Sequence, residues 1–225
     1  MLALKLGLSL VSTPRLGGWS PDDETSLVAW YQNQVGITLN GSDVSQWDDS
    51  SANSYDMVQA TATEQPAYSA GVLTFVGANL ENLQTSGTQI SLLEDFTLGL
   101  RINISTTNGA FLADNTSTNE YFKFSSASRI SFKIAGSSST NLDLDSGTFG
   151  DDYIIITRLS DVLTLWKNGV AQSATKTVSG TSLIDVIGLR RTDANAFDGT
   201  IKEIQIYSSS SAGLTANVND RLATL

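Results

Sequence analysis

At 225 residues, 40% of them apolar, the chain is long enough to build one buried core without covalent staples. It contains no cysteine and no histidine, which excludes disulfides, thiolate chemistry, Ser-His-Asp triads, histidine-ligated zinc and imidazole acid–base work. A net charge of −10 argues against nucleic acid as a partner, because phosphate binding needs clustered Lys and Arg; such an excess of acid often serves solubility alone.

The chain opens MLALKLGLSL, with Leu2, Leu4, Leu6, Leu8 and Leu10 alternating with Ala, Lys, Gly and Ser. A secretory signal needs a continuous apolar run behind a positive start, and Lys5 interrupts the run in its middle. The period of two instead predicts an extended segment with all five leucines on one face. Residues 1–18, ending at Pro14 and Gly17-Gly18, are expected to be a retained arm. An exposed apolar strand either folds back on its own body or pairs with a neighbouring chain. No stretch approaches the roughly 18 apolar residues of a membrane span, so no membrane partner is expected.

Short β-type runs separated by Gly, Asn, Asp and Ser turns follow: LVAWY (27–31), VLTFV (72–76), DFTLGLRINIS (95–105), EYFKFS (120–125) and RISFKIA (129–135). YIIITRL (153–159), VLTLWKN (162–168), LIDVIGLRR (183–191) and GTIKEIQIY (199–207) complete the series. Several alternate cleanly, as Ile130, Phe132 and Ile134 do against Ser131 and Lys133. In the last run the parities mix: Ile201, Glu203, Gln205 and Tyr207 share one, Lys202, Ile204 and Ile206 the other. Ser160-Asp161 and Asn168-Gly169 sit between β-type runs as two-residue turns and predict a three-stranded meander. At the C-terminus Leu214, Val218, Leu222 and Leu225 recur at helical spacing, with Thr215 or Asn217 as the expected cap. The pattern is that of an all-β sandwich closed by one short helix.

Four segments in order carry a family resemblance. They are WSPDD…LVAWY (19–31), VSQWDDSSANSYDMVQATATEQPAY (44–68), LWKNGVA (165–171) and FDGTIKEIQIY (197–207) with the Leu-Thr step at 214–215. Together they resemble the concanavalin A-like (laminin-G-like) lectin/glucanase jelly roll, especially the versions found in phage and bacterial proteins. The resemblance covers residues 19–225 and implies a two-sheet antiparallel jelly-roll sandwich with a short C-terminal helix. Ala52 stands where that family usually has Gly, and Lys202 where it usually has Asp.

The resemblance implies, for enzymes on this fold, an E-x-D-x-x-E strand whose carboxylates flank the scissile bond. That spacing is absent; LLEDF (92–96) and LDLDSG (142–147) are the nearest strings. Asp143 and Asp145 share a strand face beside a Ser-Gly turn, which reads as solvated surface. Calcium is the one cofactor the sequence suggests. Asp48, Asp49, Asn53 and Asp56 crowd one loop and Asp193, Asn195 and Asp198 another, with Asp48, Asp49 and Asp198 as the candidate ligands. The competing reading is that these residues simply form turns. Of the tryptophans, Trp30, Trp47 and Trp166 lie in apolar patterns and are expected in the core, leaving Trp19 as a surface candidate for stacking on sugar. No carbohydrate-binding residues are assigned.

These readings converge on a non-enzymatic virion structural protein of a tailed phage, in capsid decoration, a fibre or the tail. The phage setting comes from the resemblance alone. Its expected partners are other virion proteins, anchored through the five leucines, and host-surface glycans, with the protein oligomeric in its assembly and made in the host cytoplasm without a signal peptide. The alternative is a carbohydrate-binding lectin-like module; a glycoside hydrolase or lyase on the same fold ranks third.

Overall fold

The computed structural model describes residues 18–116, 120–190 and 195–225, so the five N-terminal leucines lie outside the described residues. Among those described, the strands form two antiparallel layers. One runs from edge to edge through Leu27–Tyr31, Gly199–Tyr207, Phe96–Ile104, Asp151–Leu159, Val162–Lys167 and Val170–Thr177. The other runs through Ile37–Asn40, Asp43–Trp47, Met57–Val58, Leu83–Thr85, Val186–Ile187, Ala110–Ala113, Tyr121–Ser126, Arg129–Lys133 and Thr140–Asp143. The hairpin of Ala67–Ser69 and Val72–Phe75 pairs with both, Ala67 opposite Asp43 and Leu73 opposite Ile201, and so joins the layers along one side. A small separate ladder pairs Ile90–Leu92 with Ser182–Ile184.

Alternation puts one side chain in two between the layers. From the first layer come Leu98, Leu100, Ile102, Ile154, Ile156, Leu163 and Leu165; from the second, Phe111, Phe122, Phe124, Ile130 and Phe132. Phe96 meets Phe122 edge to face at 6.2 Å between centroids, and Phe197 lies 6.4 Å from Phe124 and 5.9 Å from Phe75. This aromatic seam fills the sandwich.

Both two-residue turns form as expected. Ser160 and Asp161 have φ of +50° and +66°, and Asn168 and Gly169 +48° and +79°, the mirror-image turn whose twist matches the flanking strands. The mixed parity of the last strand has a physical cause. The register shifts between Ile201 and Glu203, so Lys202 is an extra residue; Ile201, Ile204 and Ile206 therefore all face the core. The run at 183–191 is split at Asp185 into Ser182–Ile184 and Val186–Ile187, which belong to different ladders.

The helix spans Ala212–Ala223 and begins earlier than the sequence suggested. Ser211 is the cap: its Oγ accepts from the Leu214 amide at 3.1 Å, while Thr215 sits in the first turn and donates to the Ser211 carbonyl. Leu214, Val218 and Leu222 are buried against Ile155 and Tyr207, so the helix lies on the outer face of the first layer. Gly99 permits this approach, since a Cβ there would stand 2.5 Å from Val218 Cγ1 and 3.2 Å from Leu222 Cδ1. Substituting Gly99→Val should therefore lift the helix and lower unfolding stability by about 1–3 kcal/mol, read as a reduced urea midpoint.

Candidate functional site

The outer face of the first layer carries a polar set that the helix covers. Glu203 is fully buried and its carboxylate receives five donors. Oε1 accepts from Trp30 Nε1 at 3.1 Å, Gln205 Nε2 at 2.7 Å and Arg221 Nε at 3.0 Å. Oε2 accepts from the Asn33 amide at 3.1 Å and Arg221 Nη2 at 2.8 Å. Tyr207 extends the chain by donating to Gln205 Oε1 at 2.7 Å. The hydrogen bonds from Arg221 to Glu203 hold the guanidinium more strongly protonated than an ordinary arginine. A buried carboxylate needs this degree of pairing, and here the pairing clamps the last turn of the helix to the sheet.

Beside that clamp the helix stands off the sheet and leaves a groove of about 390 Å³, within the range of small-ligand sites. Its floor is the outward row Thr157, Thr164 and Trp166, with Leu159 at the margin; its far wall is the helical stripe Ala212, Thr215, Ala216, Asn219 and Asp220. Small residues at 212 and 216 keep the space open. Ser210 and Ser211 border it at the start of the helix, and the Asn168-Gly169 turn closes it at Gly169, where a Cβ would stand 2.7 Å from Asn219 Oδ1. Trp166 is half-buried here, packed beside the helix cluster rather than in the sandwich core where the sequence placed it. The signal missed was parity: Trp166 shares its strand face with Thr164, opposite to Leu163 and Leu165.

The other tryptophans divide differently. Trp47 is fully buried in the core, as expected. Trp30 is buried, but on the outer face against Glu203, with the Arg221 guanidinium 5.7 Å from its ring. Trp19 is half-buried, its indole N–H donating to Glu24 at 3.0 Å.

The three candidate calcium ligands do not form one site. Asp49 Oδ1 accepts from the amides of Trp30 at 2.8 Å and Ser51 at 2.9 Å; Oδ2 accepts from Ser51 Oγ at 2.7 Å and the Tyr55 amide at 3.0 Å. Its own amide donates to Asp56 at 2.9 Å. Asp48 instead accepts from Gln46 at 2.6 Å, and Asp198 from the Thr106 hydroxyl at 3.4 Å. Among the described residues no three carboxylates gather where they could hold a metal ion; Asp193 lies outside them. With Asn53 Nδ2 donating to the Val28 carbonyl at 2.9 Å, the 48–56 loop is a knot tying its strand to Leu27–Tyr31. Elsewhere, Asp143 pairs with Arg129 at 2.6 Å, and Asp145 accepts from the Ser173 amide and hydroxyl, fastening the second layer to the edge strand of the first.

No family model matches the chain, and no curated protein matches it in sequence. Solved structures do. The chain is similar to the sialidase of Trypanosoma rangeli at 11% identity and a TM-score of 0.57, over 89% of this chain and 33% of that one. It also matches a SAP-like pentraxin of Limulus polyphemus at 14% identity and a TM-score of 0.49, covering 61% of this chain and 73% of that one. A third match is the CBM40 of the Ruminococcus gnavus IT-sialidase, at 18% identity and a TM-score of 0.43, over 55% and 82% of the two chains. At these identities the likeness is one of fold, and the chain spans about a third of the sialidase. The fold is a two-layer antiparallel jelly-roll sandwich of the concanavalin A kind with one short C-terminal helix. Among the described residues no helix is long and apolar enough to cross a membrane.

Three outcomes follow from this geometry. Asp49→Asn, which replaces an acceptor oxygen with a donor beneath buried amides, should reduce stability by roughly 2–4 kcal/mol in urea unfolding. EDTA should leave the melting temperature of the unsubstituted protein unchanged; a fall on chelation would return the aspartates to a metal role. Burial raises the phenols of Tyr31 and Tyr207 above their ordinary value, with Asp49 and Glu203 respectively adding to the effect. In the unfolded chain a tyrosine ionises near pH ~10, so this stabilisation is complete below that pH and is lost as pH rises above it. Urea midpoints measured from pH 8 to 12 should fall above about pH 10, by up to about 1.4 kcal/mol per pH unit for each buried phenol.

Proposed function

We propose that the protein is a carbohydrate-binding, lectin-like module that acts by recognition rather than by bond cleavage, and that its site is the groove between the helix and the outer face of the first layer. The observation that carries this reading is the groove's composition. Trp166 brings an indole ring, Thr157, Thr164, Ser210 and Thr215 bring hydroxyls, Asn219 an amide and Asp220 a carboxylate, all around one open space. A pyranose has apolar C–H faces and a rim of hydroxyls, and it is matched by an apolar ring bordered by mixed donors and acceptors. Among the described residues Asp220 is the single carboxylate lining the groove, whereas side-chain acid–base cleavage of a glycoside uses a pair. In the tailed-phage setting expected from the resemblance, such a module would serve host attachment, and co-purification with other virion chains is the observation that bears on that setting.

A glycan array tests the proposal, with Ala216→Trp as the comparison. Ala216 is exposed on the groove wall, so the substitution fills the groove while sparing the core. The expected result is reproducible binding to one glycan class, weakened at least tenfold by Ala216→Trp with the melting temperature unchanged. Binding to no glycan, binding indifferent to the filled groove, or release of reducing sugar from a bound polysaccharide would each overturn it.

A further inference from the structure

Trp166 Nε1 and Asn219 Oδ1 are buried atoms without a hydrogen-bond partner. Both belong to residues that line the groove, Trp166 on the sheet and Asn219 on the helix. One is a donor only and the other an acceptor only, and buried groups left in this state are uncommon and unfavourable. Ligand groups that accept from the indole and donate to the amide would satisfy them. A hydroxyl does both; a carboxylate only accepts, and an ammonium only donates.

Charge points the same way. Among the described residues Asp220 is the one charged residue on the lining and no lysine or arginine shares it, and the chain as a whole carries −10. An acidic sugar entering the groove would set its carboxylate near Asp220 with no cation among the described lining residues to offset either, and like charges at close range repel. Resting on the carbohydrate reading above, we infer that the occupant is an uncharged pyranoside, bound through its ring hydroxyls, and that sialylated and uronic acid glycans are rejected at this groove. Asn219 and Trp166 supply the hydroxyl contacts, and Asp220 supplies the discrimination.

The test is titration calorimetry with matched probes, taking a neutral glycan that binds on the array and the same glycan bearing one terminal sialic acid, with lactose and 3′-sialyllactose as the default pair. The neutral member should bind at least tenfold more tightly. Asp220→Asn should narrow that gap, and Asn219→Leu should weaken the neutral glycan at least tenfold. Asn219 and Asp220 are both outside the core, so an unchanged melting temperature verifies that each variant is folded. If the sialylated probe binds as tightly as its neutral twin, or Asp220→Asn leaves the gap intact, the charge selection is wrong while the carbohydrate reading stands. If neither class binds, the carbohydrate reading itself fails.

Discussion

The arrangement of the molecule turns on a carboxylate with no exposure to solvent. Glu203 sits on the outer face of a sheet, where an unpartnered charge would be solvated, and the C-terminal helix buries it. The burial is tolerable because five donors converge on it from three places in the chain: Trp30 and Asn33 near the beginning, Gln205 beside it, and Arg221 from the helix. Apolar packing of Leu214, Val218 and Leu222 could accept several nearby seats for the helix, but a two-pronged arginine contact has a defined direction. The clamp fixes the helix at its last turn and the Ser211 cap fixes it at its first. The groove is what remains between those two points.

Much of this architecture was legible in the chain because the relevant forces are local. The Ser160-Asp161 and Asn168-Gly169 turns declare themselves through residues that accept positive φ, and the runs around them through period-two burial. What escaped notice was set by partners distant in sequence. Met57–Val58 is a two-residue strand held between Asp43–Trp47 and Leu83–Thr85. The split at Asp185 is likewise invisible to a pattern of apolar residues.

The candidate site was less legible than the fold. The aspartates at 48–56 drew attention as cation ligands because acid-rich loops with Asn and Ser serve that purpose in many proteins. The same chemistry, an oxygen-rich side chain short enough to reach its own backbone, also makes loop knots, and Asp49 accepts four hydrogen bonds in such a knot. Trp166 was misplaced on the strength of its aromatic ring and against its parity: it shares a strand face with Thr164, opposite to Leu163 and Leu165. Nothing in the sequence marks which aromatic borders open space, since that depends on Ala212 and Ala216 standing opposite it.

The extra residue at Lys202 has a wider meaning for the strand that contains it. Before the bulge, Ile201 feeds the sandwich interior; after it, Glu203, Gln205 and Tyr207 feed the compartment under the helix while Ile204 and Ile206 resume the interior. A single inserted position thus acts as a change of phase, splicing a strand suited to one hydrophobic layer onto a strand suited to two. Lys202, the residue that makes the splice, reaches to the carbonyl of Leu225 at 3.0 Å, so the point where the pattern changes is also tied to the segment that leaves the helix.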